Sequence, residues 1–595
     1  MKILEKIAIA AIVALTVLLP LKFASLIGIP EATALFPEGL FPWLIVLWPA
    51  SAFPAFSAAV LIIALIAFRP HPDKQFKAFV IAGLWLLLAL VGYIGAVNAE
   101  TYDFVAMQIP HGLGIGAYAA SVYLMLSNRP DWRRKLLFIM FATAVLVALL
   151  GWEQRLAGFE DTRNFTIQQE QSTGIALSEA LKARIFDDRI YSTFGSCNNL
   201  GGFLLMMLPL LFYLAWRAGG RIEPPWGGRI VFLSLGMLIM AAPFFMTASR
   251  AAFACLLATC VLFVLMLPVG KHIRWGIVGG AVFAIIGGTL YIALRGRGFS
   301  SMEARMDYQW SSLWIFLKNP LLGTGWGDFF HDYMIIKRFP GNEAPHDPHC
   351  MIAAYFSQCG ILGGLTCLAV LFYPLWEGWR KIHRSAQSVF SNLDTWLLLG
   401  IVGVTMHSQL DTNMQVPAMM CYLAGFQIIL LTDEKEPERA FGAKTRWLLQ
   451  IGFVLAALWM ALAGGWGSIK LVQGEKAFAT LSDLASPMGK KPEEFYRITP
   501  EQVNLALNKA VELRPYSPFP WQVAADFMFG RGLYDIAEIY YLKALELSPG
   551  RASLNHRLHR LYRLTGNEIQ AAKYLKRAQE LFPNNEDYRE PWSPK

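Results

Sequence analysis

The residues best suited to chemistry gather where a polar stretch meets an apolar run, at His346-Asp-Pro-His349-Cys-Met-Ile-Ala-Ala-Tyr-Phe-Ser-Gln-Cys-Gly360-Ile-Leu-Gly363. Histidine titrates near neutral pH, so His349 at the mouth of that run suits a general base. Three arginines stand at comparable boundaries: Arg189, Arg250 within Thr247-Ala-Ser249-Arg250-Ala-Ala, and Arg305 in a long polar stretch. A guanidinium is permanently charged and offers a planar fork of donors, which suits phosphate oxygens. His346 and His349 also invite a metal reading, with Asp347 or His331 as further ligands. Pro348 between them and the lack of a third ligand at helical spacing argue against it. Plainer readings stand beside the chemical ones. Arg250 can snorkel, Arg189 and Arg305 can bridge to Asp187, Asp188 or Glu303, and His349 can simply start a helix. His407 and Asp411, one helical turn apart, read as a structural pair, with Asp411 also a candidate to bind substrate.

The elements that position these groups are membrane helices. The chain has 595 residues, 55% hydrophobic and 16% charged, with mean hydropathy +0.41. A soluble domain carries about 25% charged residues, so most of this chain is solvated by something other than water. Thirteen apolar runs of about the bilayer-crossing length are expected near 7–29, 42–68, 76–98, 104–126, 136–152, 200–216, 230–248, 251–269, 274–294, 351–376, 395–410, 415–432 and 447–467. In 42–68, Pro49 and Pro54 predict a kink. The run after Lys2 and Lys6 is long for a signal peptide and lacks a small-x-small cleavage site, so it reads as the first span.

Alternate short loops carry Arg69/Lys74/Lys77, Arg129/Arg133/Arg134/Lys135, Arg217/Arg221/Arg229, Lys271/Arg274, Arg380/Lys381/Arg384 and Lys435/Arg439/Lys444/Arg446. The opposite loops carry Glu31, Glu38, Glu100, Asp103 and Asp411, with Arg250 the lone cation. This asymmetry predicts a cytoplasmic N-terminus and a C-terminus outside, in the periplasm of a Gram-negative cell. The long loops 153–199 and 295–350 then also lie outside, and their length predicts function or helices of their own. The net charge of +9 belongs to these orienting loops and not to a nucleic-acid surface. Seven scattered cysteines form no CxxC pair, which favours neither zinc nor redox chemistry. No cofactor is expected.

From about residue 468 the chain turns polar. Ala510, Ala544 and Ala578 are 34 residues apart, as are Pro515, Pro549 and Pro583, and Val503, Ala537 and Ala571. That period, with small residues where paired helices touch, is the tetratricopeptide signature. The predicted fold is therefore all-α: a polytopic membrane domain over 1–467 and a periplasmic helical-repeat domain over 468–595. The repeats suit a peptide or partner protein, or bracing of the 295–350 loop by Trp521 or Phe527.

Several short motifs, in topological order, resemble the O-antigen ligase and polymerase family. His349, Gly360 and Gly363 match its histidine followed by Gly-x-x-Gly, with Cys350 where an amide or hydroxyl residue is usual. Arg189-Ile-Tyr-Ser-Thr-Phe-Gly-Ser-Cys-Asn-Asn199 resembles the segment before its central span, and Ser249-Arg250 its Ser-Arg turn. Arg305 and Asn319-Pro320-Leu-Leu-Gly-Thr-Gly-Trp-Gly-Asp328 resemble the loop leading to the histidine. The resemblance spans roughly residues 70–432 and is carried by the motifs jointly.

It implies transfer or polymerisation of an undecaprenyl-pyrophosphate-linked oligosaccharide at the periplasmic face of a bacterial inner membrane. His349 would take the acceptor hydroxyl's proton, with Arg250 and Arg305 on the pyrophosphate and Arg189 and Asp411 binding substrate; His346 misses the family's spacing and is a further candidate to bind substrate. The acceptor implied is a glycan, lipid A-core or protein hydroxyl. Membrane lipids and a periplasmic protein held by the repeats are further partners. No Asp-x-Asp follows an early span, so metal independence is expected. A lipid-glycan flippase would favour ionisable groups at mid-membrane, whereas these gather at one face. A membrane-anchored scaffold leaves the histidine and arginine pattern unexplained.

Overall fold

The computed structural model is all-helical and describes every residue except 1, 28–42, 44–45, 174–181, 183–184, 269, 295–298, 339, 342, 386, 434–437, 488–489, 491, 584 and 589–595. Glu31, Glu38 and Lys435 lie outside the described residues. Among those described, nine helices are long and apolar enough to cross a membrane, and the chain is a multi-pass membrane protein. Three shorter apolar helices, Arg250–Met266, Leu393–His407 and Pro417–Leu431, and the helix Lys271–Leu294 fall on the remaining expected runs. The segment 42–68 differs from expectation. Pro49 precedes a 3-10 turn, Ala50–Ala52, and Pro54 sits in the first turn of Phe53–Ala67. There its missing N–H would be unpaired anyway, so it starts a helix instead of kinking one.

Val105–Asn128 and Pro417–Leu431 lie at the centre of the bundle and are buried along almost their whole length. Outer helices turn Phe138, Trp376, Leu455 and Trp466 outward, as lipid-facing surfaces do. The helix Met351–His383, which follows His349, is broken at Gly360, whose φ of 65° and ψ of −162° are not helical.

The two long loops build helices of their own. Arg133–Glu153 runs through a π turn, Gln154–Gly158, into Phe159–Thr173. The loop before His349 forms Phe299–Lys318 and Phe329–Ile336.

The last apolar helix, Ala443–Ala485, has 43 residues and is about 65 Å long, twice the hydrocarbon thickness of about 30 Å. It therefore leaves the membrane and carries a run of short helices: Pro500–Leu513, Pro518–Gly530, Tyr534–Leu547, Ala552–Leu564 and Glu568–Leu581. Ala510, Ala544, Ala578, Val503, Ala537 and Ala571 are all buried, as residues at closely packed helix pairs must be. This array packs onto the loop before His349. Ala552, Ala578, Leu581 and Tyr588 share one apolar cluster with Tyr308, Phe329, Tyr333 and Met334. The residues that meet the loop differ from those expected: Trp521 packs on Tyr540 and Phe527 on Phe495. Buried Asp103 ties the same interface, lying 3.5 Å from Arg514 and 3.7 Å from Arg551.

Candidate active site

The segment 319–328 is threaded through the break in the Met351–His383 helix. Ile361 donates its backbone N–H to Pro320 O at 2.7 Å, and Gly325 donates to Gln358 O at 3.1 Å. A Cβ on Gly360 would stand 2.3 Å from Leu321 O, and one on Gly323 would stand 2.2 Å from the Gln358 carbonyl carbon. Both glycines have positive φ, so close approach and backbone conformation each demand them. Gln358 then turns its Oε1 to the Gly327 N–H at 2.7 Å. Trp326 fills the space between Gly92 and Gly112, where a Cβ would come within 2.1 Å and 1.9 Å of its ring. Asp328 accepts the backbone N–H groups of Glu100 and Thr101 and the Thr101 hydroxyl. Its burial pushes that carboxyl up to about 6. The glycine-rich motif thus fixes the break at Gly360 in the helix that follows His349.

His349 sits just before that helix with φ of 56°, a left-handed conformation in which histidine is tolerated better than most side chains. Its backbone N–H donates to Asp347 Oδ1 at 2.6 Å, an Asx turn that holds the residue in this state. Asp347 is buried, and burial raises its carboxyl above the usual range, with His349 and Gln415 beside it drawing it back. The His349 ring lies 5.5 Å from that of Tyr308, and its Nδ1 is buried without a partner. Tyr308 in turn donates to Glu343.

One turn before Tyr308, Arg305 reaches Asp411, Nη2 to Oδ2 being 3.5 Å. Asp411 Oδ1 accepts the Thr412 N–H at 2.8 Å, so one oxygen stays with its own turn while the other faces Arg305. The 408–413 corner also grips the start of the helix after His349: Met351 N–H donates to Ser408 O, and Ile352 N–H to Gln409 Oε1. The Cys350 thiol lies 3.5 Å from the same Gln409 oxygen. His407 Nδ1 meets Asn413 Nδ2 at 3.0 Å, and Asn413 Oδ1 accepts from Asn199. His407 is therefore partnered by Asn413 and not, as its spacing suggests, by Asp411.

Asn199 opens the helix Cys197–Gly219, which wedges between this corner and the Thr247–Arg250 turn. A Cβ on Gly202 would stand 2.6 Å from His407 Nδ1, and one on Gly201 3.1 Å from Ser249 Cβ. Arg189 clasps the same turn, Nε donating to Thr247 O at 3.0 Å and Nη2 to Asn198 Oδ1 at 3.1 Å. The local bridges weighed for it are not made by its side chain; Asp188 pairs with Arg155 and Arg163 instead. Ser249 caps Arg250–Met266 through the Ala252 N–H. Arg250 is exposed at that helix start and makes no ion pair among the described residues.

His346 stands apart. Its ring stacks on Phe104 at 4.7 Å and against Phe330 at 5.3 Å, at the edge where the helical array docks. Its neighbours are Arg551 and Asp103, and burial pulls its pKa down to about 4. The two histidines point to different surroundings, and among the described residues no group of three or more His, Cys, Asp or Glu is arranged to hold a metal ion.

Arg250, Arg305, the threaded segment, His349 and Gly360 all lie within one stretch. Residues 235–368 match the family model described as O-Antigen ligase. No curated protein matches the chain. Arg189, His407 and Asp411 fall outside the matched stretch, yet packing brings them to it. The sequence reading missed Tyr308, Asp347 as the holder of the His349 backbone, and Asn413. Tyr308 follows Arg305 by three residues and so shares its helix face, a signal that was available.

Proposed function

We propose that the chain transfers a glycan from an undecaprenyl-pyrophosphate carrier to a hydroxyl acceptor at the periplasmic face of the inner membrane. The observation that carries this reading is the single constellation Arg305–Asp411 beside Tyr308–His349, inside a stretch matching the O-antigen ligase model. Cations alternate with acids along the short loops, which supports an outward-facing site.

In this reading the acceptor oxygen attacks the sugar's anomeric carbon as the bond to the pyrophosphate oxygen breaks. His349 takes the hydroxyl proton, and undecaprenyl pyrophosphate leaves with the bond's electron pair. Arg250, unpaired at a helix start, and Arg305 stabilise the charge growing on the pyrophosphate. Asp411 orients Arg305, leaving the rest of its donor fork for phosphate oxygens. Arg189 holds the Thr247 carbonyl and so positions Arg250. His346 acts through the docking of the array and not on substrate. The short C-terminal helices are tetratricopeptide repeats that brace the loop bearing Arg305. The reaction needs no metal in this scheme, since the arginines supply the positive charge.

The test is turnover of carrier-linked glycan by purified protein, with the product acceptor identified by mass spectrometry. Release of undecaprenyl pyrophosphate with glycan on a hydroxyl supports the reading. Carrier crossing vesicles with its glycan intact refutes it in favour of transport.

A further inference from the structure

At the far end of the Cys197–Gly219 helix lies a second polar cluster. Arg134, Arg217 and Arg221 line one cleft of about 340 Å³, whose floor is apolar and includes Leu137, Phe138 and Leu214. Asn199 and Arg217 are 18 residues apart on one helix, about 27 Å, so this cleft sits a bilayer's hydrocarbon thickness from the candidate active site.

Cations nearby are paired with acids. Arg133 bonds to Asp394, Lys381 lies 3.1 Å from the same carboxylate, and Lys135 and Arg129 share Asp131. Arg229 stacks on Trp216 at 4.2 Å. The three arginines of the cleft make no ion pair among the described residues, and neither does Glu223, the one carboxylate in their turn. Three unpaired guanidinium groups repel one another and call for an anion. The exposed face of Phe138, with part-buried Leu214 in the same cleft, calls for an apolar chain on the same ligand. Phosphate alone leaves that floor bare, and an uncharged lipid leaves the arginines unpaired.

We infer that the cleft of Arg134, Arg217 and Arg221 binds an anionic glycerophospholipid, its phosphate on the three arginines and an acyl chain along Phe138 and Leu214. Bidentate arginine–phosphate contacts supply the head, and the bilayer itself delivers the tail.

The test is native mass spectrometry of the full purified chain in detergent, titrated with phosphatidylglycerol, with phosphatidylcholine of the same acyl chains, and with inorganic phosphate as competitor. The expected result is at least a tenfold preference for phosphatidylglycerol, unaffected by phosphate. An Arg134→Gln/Arg217→Gln/Arg221→Gln variant should lose at least tenfold in that affinity, while the triple Lys variant keeps most of it. Should the triple Gln variant fail to purify as a single species, each single Gln variant should still weaken binding several-fold. Unchanged binding in the Gln variants, equal retention of phosphatidylcholine, or displacement of phosphatidylglycerol by phosphate overturns the inference.

Discussion

The Nη2 of Arg305 lies 3.5 Å from the Oδ2 of Asp411, so one ion pair ties the loop helix Phe299–Lys318 to the corner that follows His407. Asp411 is buried while Arg305 is only partly so, which leaves part of the guanidinium open. Arg305→Ala is expected to weaken donor binding and turnover together, and Arg305→Lys to impair turnover because a point charge does not replace a fork. Asp411→Asn should lower turnover through Arg305. A double-mutant cycle on turnover should give a coupling on the order of 0.5–3 kcal/mol; strict additivity would separate the two residues.

His349→Ala should reduce transfer by about 10²–10⁴-fold with the protein still in the membrane. Because His349 has φ of 56°, the alanine variant also strains the backbone. His349→Asn accepts that conformation and removes the base, so it should be equally inactive. An active Asn variant would reduce the role of His349 to shaping the turn.

Gly360→Ala places a methyl 2.3 Å from Leu321 O at a positive φ, and Gly323→Ala does the same against Gln358. Each should lower the thermal midpoint and the activity together, because the threaded segment holds the break in the helix that carries His349 at its mouth. Left-handed backbone alone costs about 1–2 kcal/mol. Gly279, with open space around its Cβ position, is the control, and its Ala variant should be neutral.

Removal of the chain after about residue 470 strips Ala552, Ala578, Leu581 and Tyr588 from Tyr308 and Tyr333. It also takes Arg514 and Arg551 away from Asp103. Activity in detergent should fall even with a simple acceptor. Full activity of a folded truncated protein would return the array to a recruiting role. Arg514→Ala should act in the same direction but more weakly, since Asp103 keeps Arg551 at 3.7 Å.

His346 provides a pH test. Its folded pKa is about 4, lowered by burial, against about 6.5 in an unfolded chain. Between those values the unfolded state binds more protons, so stability is full above about 6.5 and falls as pH drops toward 4. His346→Phe keeps the stack on Phe104 and Phe330 without the titration. Its thermal midpoint should fall less between pH 7 and 5 than that of the parent. Parallel curves would assign the acid sensitivity elsewhere.

Hydropathy made the helix positions legible, because length and apolarity alone decide what crosses a bilayer. The histidine and its glycines were legible through spacing. The partner of Arg305 was not. Glu303, weighed as its mate, is two residues away and on another helix face, whereas Asp411 is more than a hundred residues distant. The same limit hid the threading of 319–328 through the Gly360 break, since the sequence shows two glycine motifs but not that their backbones touch. It also hid which array residues meet the loop. Trp521 and Phe527 looked suited by size, but bulky apolar residues fill the array's own interior, and smaller Ala552 and Ala578 permit the approach.

The cluster joining Tyr308 and Tyr333 to Leu581 and Tyr588 also orders events at the ribosome. Between Pro348 and Tyr588 lie about 240 residues, on the order of 10–50 s of synthesis at about 5–20 residues per second. Throughout that interval the His349 loop exists without the surface that closes over it. The newborn chain carries its reactive residues early and gains their setting only with its final helix, so an arrested or prematurely ended chain is a membrane protein with the histidine but not the held loop.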